Sequence, residues 1–374
     1  MSSRRVAACA AAIGVSLLSV SPAAAVTGGR QIDDPAAAPW MVTIATKGPE
    51  PLALREKCGG VLIAPSRVAT AGHCLDHLDP GHLELHLGGG PLSGGHGRIV
   101  STKGYSIHPG YRLVYSPSAP GDFERAAVAN DAAVLELASP VFGVPTVPVA
   151  PREPEPGTAV SAFGHGLTAP VAPENPTASI GDALSRGDFR VIDDESCGAE
   201  LTGLVDGPSV LCAAAPTAGI CPGDSGGPLI QYVHGRPELA GLTSFAGEVV
   251  GKQCRRAIPA GFADAAGLRS FLTEPRPVLA PMPEGEVEVT GTKVDGATLT
   301  CALPPWAGAA PDSIAYRWYR GEPGPDGAPD GYYRIENETG PKLPVTAELA
   351  RHKVMCIVTA TSKGGAIELS SDPA

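Results

Sequence analysis

The chain has 374 residues, of which 43% are hydrophobic and 18% charged, enough apolar material for a large core and unlike a disordered composition. A formal charge of −11 at pH 7 argues against nucleic acid as the main partner. After the N-terminal segment no stretch reaches the roughly 18 to 20 apolar residues a membrane span needs, so none is expected. The length suggests two domains or slightly more, and 47 glycines with 39 prolines favour turns and short strands over long helices.

Residues 1–25 have the form of a signal peptide. Arg4 and Arg5 make a basic start, Val6 to Val20 an apolar run, and Ala23-Ala24-Ala25 a small-residue cleavage site. The expectation is therefore a secreted, extracellular protein. Cys9 leaves with the signal, and the remaining eight cysteines, an even number in an exported chain, read as a disulfide framework. Zinc is the competing use of cysteine, but no CxxC pair occurs.

From Val26 to about Leu272 short apolar runs alternate with Gly, Pro and Asp/Asn turns. Trp40-Met41-Val42-Thr43-Ile44, Gly60-Val61-Leu62-Ile63, Ala132-Ala133-Val134-Leu135-Glu136-Leu137 and Ala240-Gly241-Leu242-Thr243 read as strands, which indicates an all-β barrel or sandwich. Between Arg112 and Ala129 a long insertion carrying Tyr115, Asp122, Phe123 and Glu124 reads as solvated surface. Ala265 to Leu272 reads as a short helix. Residues 274–286 are proline-rich and expected to form a semi-rigid linker. Residues 287–374 alternate again, and Cys301, Trp318 and Cys356 resemble the pattern of an immunoglobulin-like β-sandwich. Val354 stands where that family has tyrosine, which leaves the subtype open.

Three strings carry the chemistry: Thr70-Ala71-Gly72-His73-Cys74, Asn130-Asp131-Ala132-Ala133-Val134-Leu135 and Gly223-Asp224-Ser225-Gly226-Gly227-Pro228. They supply His, Asp and Ser in that order. Serine is a poor nucleophile at neutral pH and needs a neighbouring base, which in turn needs an orienting partner. In strings and order the chain resembles the trypsin/chymotrypsin-like serine proteases. The resemblance implies two six-stranded antiparallel β-barrels with the active site between them, over residues 26–273. It also implies a serine endopeptidase acting on protein or peptide substrates through an acyl-enzyme, with His73, Asp131 and Ser225 catalytic. Gly223 and Ser225 would offer backbone N–H groups to the oxyanion. Disulfides Cys58–Cys74, Cys197–Cys212 and Cys221–Cys254 are implied in the same way, leaving Cys301 and Cys356 for the C-terminal region.

The resemblance further implies that Asp224 receives the α-ammonium of a new N-terminus. Val26-Thr27-Gly28-Gly29 resembles the family's mature start, so cleavage after Ala25 would itself activate the enzyme. The primary specificity pocket would be lined by Gly219, Ile220, Ser244, Phe245, Ala246 and Gly261. Glycine at 219 cannot attract Arg or Lys as an aspartate would, and Ile220 with Ala246 reduces volume. The expected preference is a small to medium apolar side chain before the scissile bond, broad because one methylene discriminates by only about 1 to 3 kcal/mol. Ile220 packed into the core would instead leave the pocket deep.

No metal or cofactor is expected. His73, His77, His82 and His86 contain two HxxxH spacings, but Pro80, Gly81 and the alternation of Leu83-Glu84-Leu85 favour turn and strand over the helix that would align them. Gly88 to Arg98, where some family members bind calcium, contains no carboxylate. Two readings compete with the endopeptidase: a catalytically inactive protease-fold binding protein acting through its immunoglobulin-like domain, and a hydrolase of esters. The C-terminal module could dock substrate, bind a surface or polymer ligand, or space the enzyme, and sequence does not rank these.

Overall fold

The computed structural model describes residues 26–94, 97–115, 126–169, 180–201, 205, 207–246, 254, 257–307, 310–323 and 329–374. Residues 1–25, read as a signal, lie outside these, as do Asp122, Phe123 and Glu124 of the insertion.

The N-terminal third contains β1 (Arg30–Gln31), β2 (Met41–Thr46), β3 (Glu56–Ala64), β4 (Arg67–Thr70), β5 (Leu83–Leu87), β6 (Arg98–Val100), β7 (Thr102–Ile107), β8 (Arg112–Tyr115), β9 (Ala126–Ala129) and β10 (Ala133–Leu137). Seven of them form one antiparallel sheet in the order β6-β5-β2-β3-β4-β10-β7. Met41 to Ala45 are buried on both faces of β2, which is why this strand reads as a continuous apolar run rather than an alternation. β8 and β9 make a separate hairpin at the root of the insertion.

The second sheet is built from β11 (Ala159–Gly164), β12 (Ser185–Ile192), β13 (Val210–Ala214), β14 (Pro228–Val233), β15 (Arg236–Phe245) and β16 (Ala260–Asp264). Its order β12-β11-β14-β15-β16-β13 closes through pairing of β12 with β13, giving a six-stranded barrel to which β1 is appended. β12 shows the period of two expected of a barrel wall: Ser185, Phe189 and Val191 are buried, while Asp188 and Arg190 face water. The two sheets meet where the Trp40 and Phe163 rings pack edge to face, centroids 5.1 Å apart. The helix expected over Ala265 to Leu272 is helical only at Arg269–Leu272, because the Asp264 carboxylate first holds a turn by accepting from the amides of Ala266 and Gly267.

The expectation of two closed six-stranded barrels needs correction for the first. Its seven-stranded sheet is a half-barrel, and the outer edge of β7 is met by later chain instead. Ala280 of the proline-rich stretch donates its N–H to Tyr105 O at 2.7 Å, and Ile107 donates to Gly364 O at 2.7 Å. The proline-rich stretch is thus laid, at Ala280, against the edge of the first sheet.

The C-terminal residues form β17 (Glu288–Thr290), β18 (Thr298–Ala302), β19 (Ser313–Pro323), β20 (Pro329–Arg334), β21 (Lys342–Pro344), β22 (Lys353–Ser362) and β23 (Gly365–Ser370). They make a three-stranded sheet, β17-β18-β21, and a four-stranded sheet, β20-β19-β22-β23. The Cys301–Cys356 disulfide ties β18 to β22, and Trp318, opposite Cys356, is fully buried with its indole N–H on Gly340 O at 2.9 Å. Cys58–Cys74, Cys197–Cys212 and Cys221–Cys254 complete the four disulfides. Among the described residues no helix is long and apolar enough to cross a membrane.

Candidate active site

β4 ends at Thr70, and the chain turns through a single 3-10 turn, Gly72–Cys74, that carries His73. A Cβ on Gly72 would lie 3.0 Å from the Tyr111 ring and 3.3 Å from Asp131 Oδ1, so the close approach of this turn to Asp131 depends on glycine. Asp131 enters β10 from Asn130, whose φ of 52° is a left-handed conformation that asparagine tolerates. The Asn130 side chain holds that turn by donating to Gly110 O at 3.0 Å.

Asp131 is completely buried. Its Oδ1 accepts from the His73 backbone N–H at 2.8 Å, and its Oδ2 lies 2.7 Å from His73 Nδ1. Oδ2 also accepts from the Ser244 hydroxyl, delivered from β15 of the other barrel. Burial alone would raise the Asp131 carboxyl; the charge and hydrogen bond of His73, together with the Ser244 hydroxyl, outweigh it and hold the pKa below the usual range. Burial likewise works against a charged His73, but Asp131 and, more weakly, Asp76 raise its pKa overall.

Ser225 sits in the turn Gly223-Asp224-Ser225-Gly226, pinned by Asp224 N–H on Cys221 O (3.0 Å), Gly226 N–H on Thr243 O (2.8 Å) and Gly227 N–H on Asp224 O (3.0 Å). Gly226 has a φ of 71°, and a Cβ there would collide with Thr70 and Gly59. Ser225 O accepts from Gly59 N–H at 2.8 Å. Gly59 follows Cys58, which is bridged to Cys74, the neighbour of His73. One hydrogen bond and one disulfide therefore link the serine turn to the histidine turn. Among the described residues the amides of Gly223 and Ser225 have no acceptor within the chain.

The remaining residues singled out in the sequence are placed as follows. Val26, Ile220 and Ala218 share a buried cluster with Phe189 and Phe262, and Ala246 packs on it from a half-buried position. Gly219 pairs with Thr27, its N–H on Thr27 O at 2.9 Å. Phe245 packs with the Cys197–Cys212 bridge, and its ring covers Gly261, where any side chain would collide with it. Ser244, which the sequence placed on the pocket wall, turns its hydroxyl to Asp131. Of the histidines in the HxxxH spacings, His73 pairs with Asp131, and the other three sit in turns and in β5, each beside a carboxylate of its own segment: His77 near Asp76 (3.7 Å), His82 near Asp79 (3.2 Å) and His86 on Glu84 (2.5 Å).

Asp224 is buried and accepts from the amides of Cys221 (2.8 Å), Gly166 (3.0 Å) and Val26. Burial dominates these donors and raises its pKa to about 7. Among the described residues no cationic side chain is paired with it. Glu56, which nothing in the sequence marked, stands close by. Its Oε1 is buried without a hydrogen-bond partner, and burial followed by the charge of Asp224 pushes its pKa up to about 8. It lines a cavity of about 250 Å³ together with Lys57, Leu167, Pro222 and Gly223.

A family model described as Trypsin matches residues 26–270. Curated relatives include "Trypsin iota" of Drosophila melanogaster, 29% identical over 244 residues, which cover 63% of this chain and 83% of the relative. Trypsin of Sarcophaga bullata is 28% identical over 226 residues, covering 59% and 79%. Trypsin of Saccharopolyspora erythraea is 28% identical over 204 residues, covering 53% and 77%.

The Glu56 carboxyl generates a prediction with a definite sign. A folded pKa raised above the ordinary carboxyl value of 4.5 means the folded state holds its proton more tightly, so stability is lost as pH rises from about 4.5 through about 8. Glu56→Gln removes that loss. Thermal unfolding is expected to show the variant more stable than wild type at pH 8.5 by at least about 1.4 kcal/mol, the worth of one pKa unit, and equal to it near pH 4.5. A variant no more stable at pH 8.5 contradicts the assignment.

Proposed function

The chain belongs to the trypsin family of serine endopeptidases, and from that premise we propose that His73, Asp131 and Ser225 are its catalytic residues in a secreted enzyme. The observation that carries the assignment is the doubly hydrogen-bonded Asp131–His73 pair, tied through Cys74–Cys58 and Gly59 to the serine turn. Ser225 Oγ attacks the substrate carbonyl carbon while His73 Nε2 takes its proton, since Nδ1 is already committed to Asp131. The oxyanion lies against the N–H groups of Gly223 and Ser225, each such donor contributing about 2.7 to 4 kcal/mol to lowering the barrier. Collapse breaks the C–N bond, His73 protonates the leaving amine, and water then hydrolyses the acyl-enzyme by the same sequence.

Substrates are proteins or peptides with a small to medium apolar residue before the scissile bond. Gly219 offers no counter-charge for Arg or Lys, and half-buried Ala246 reduces the volume, whereas Ile220 packs into the buried cluster with Val26 and Phe189 and does not narrow the pocket. The two C-terminal sheets, with a buried tryptophan against their inter-sheet disulfide, support the immunoglobulin-like reading of residues 287–374. A surface or polymer ligand remains our proposal for that module.

Two features support activation by cleavage between Ala25 and Val26. Val26 is buried beside Asp224 with a φ of 50°, a left-handed conformation that a β-branched residue adopts only under strain. Hydrolysis of the preceding peptide bond abolishes that constraint, and it converts an amide donor into an ammonium facing a buried carboxylate.

A fluorophosphonate probe is expected to label wild type at Ser225, and Ser225→Ala to lose both labelling and hydrolysis of an apolar-P1 peptide. Labelling elsewhere, or none beside intact binding of partners, would favour the inactive binding protein, and a dominant Arg/Lys preference in a peptide library would contradict the pocket. The secreted enzyme is expected to begin at Val26. Its α-amine, with pKa raised by folding against Asp224, stabilises the active form at lower pH, and this is lost as pH rises through the folded value. An active form with another N-terminus, or activity flat into strongly alkaline pH, contradicts the pair.

A further inference from the structure

We propose that the C-terminal module is a positioning element for His73, with β23 and the Tyr105 hydroxyl holding the loop 74–78 that follows the histidine. The inference rests on the reading of His73 as the catalytic base. The loop turns back on itself at its start, where the N–H groups of Leu75 and Asp76 both donate to Gly72 O at 3.0 Å. Its far end has one internal bond, Leu78 N–H on Leu75 O at 3.0 Å, which leaves the His77 and Leu78 carbonyls to be held from outside the loop. His77 has a φ of 62°, an unfavourable conformation for a residue with a Cβ, which persists only where surrounding structure imposes it.

That surrounding structure is the C-terminal module. Glu368 of β23 donates its N–H to His77 O at 3.0 Å, and His77 forms a parallel bridge with Ile367. The next carbonyl, Leu78 O, accepts from the Tyr105 hydroxyl at 2.6 Å, and the same hydroxyl lies 3.2 Å from Ala366 O. Tyr105 is completely buried and shares one apolar cluster with Leu75, Ile107, Ala280 and Ile367. Both edges of this contact are fastened. Ile107 N–H reaches Gly364 O, Ala280 N–H reaches Tyr105 O, and Ser362 Oγ donates to Leu279 O at 3.0 Å. A Cβ on Gly364 would collide with Val278 and Leu279, so the turn before β23 sits directly on the proline-rich stretch.

The consequence for His73 is steric and electrostatic. The charged groups facing the imidazole are Asp131 from the turn before β10 and Asp76 from its own loop, and both raise its pKa. Asp76 is in turn placed by a hydrogen bond from the Tyr111 hydroxyl and lies 3.7 Å from His77 Nε2. Releasing His77 and Leu78 frees the imidazole to shift and moves Asp76 away from it.

The test is Tyr105→Phe in the full chain, which deletes one hydroxyl and leaves the packing. Peptide hydrolysis is expected to lose roughly tenfold or more in kcat, since small displacements of a catalytic group are costly. KM should stay within about twofold, as for a residue that acts on the transition state and not on substrate binding. Fluorophosphonate labelling should slow in parallel, and the acid limb of kcat/KM should move to lower pH as Asp76 withdraws. Unchanged kcat and acid limb would overturn the proposal, and so would a parallel loss in kcat, KM and thermal stability with the limb in place, which marks general destabilisation. Gly364→Val is the second arm: loss of hydrogen-exchange protection at the Glu368 amide with full kcat retained would overturn it, and loss of both supports it. A wild-type chain that neither labels nor cleaves would end the peptidase reading itself, a failure distinct from an active wild type matched by Tyr105→Phe.

Discussion

A carboxylate removed entirely from water is the constraint around which this molecule is organised. The desolvation of Asp131 costs several kcal/mol unless the charge is paired and its oxygens are hydrogen-bonded. The donors come from separate parts of the chain: the backbone and ring of His73 from the turn after β4, and the Ser244 hydroxyl from β15 of the opposite barrel. Satisfying one buried charge therefore fixes the relative placement of two sheets. The imidazole is fixed in the same act, with one nitrogen committed to Asp131 and the other left for chemistry. The Cys58–Cys74 bridge and the Gly59–Ser225 hydrogen bond then set the serine turn against the same turn.

Asp224 is equally buried and behaves in the opposite way. Its three donors are neutral amides, and burial prevails, so that its pKa rises to about 7 where that of Asp131 falls. Glu56 adds a second uncompensated acid nearby. The contrast is what the proposed cation at residue 26 addresses: Asp224 N–H and O are part of the turn that carries Gly223 and Ser225. The strained, buried Val26 supplies the group that would carry that charge.

The strings around His73, Asp131 and Ser225 make the family legible, because each combines a chemical residue with the glycines or apolar strand its backbone needs, and the short apolar runs between turns make the all-β class legible. What no string carried was tertiary. Ser244 reads as a pocket residue, and its hydroxyl goes instead to Asp131 at the point where the β15–β16 register shifts between Thr243 and Phe245. Glu56 reads as a polar residue opening β3, and only the fold buries its Oε1 within reach of the Asp224 charge. The closure of the first barrel was overestimated because the sequence of β7 does not reveal that Ala280 and Gly364, far downstream, bond its outer edge. Proline-rich composition likewise says nothing of the surface against which Ala280 lies.

The central claim is that the charge of Asp131, and not merely its shape, holds His73 ready as a base. Asp131→Asn keeps the size of the side chain and removes the charge, and its kcat on a peptide substrate at pH 8 is the most direct measurement. The account predicts a fall of roughly 10⁴-fold, as the imidazole loses the partner that sets its tautomer, with the fold retained by circular dichroism. A folded variant within tenfold of wild type would contradict it.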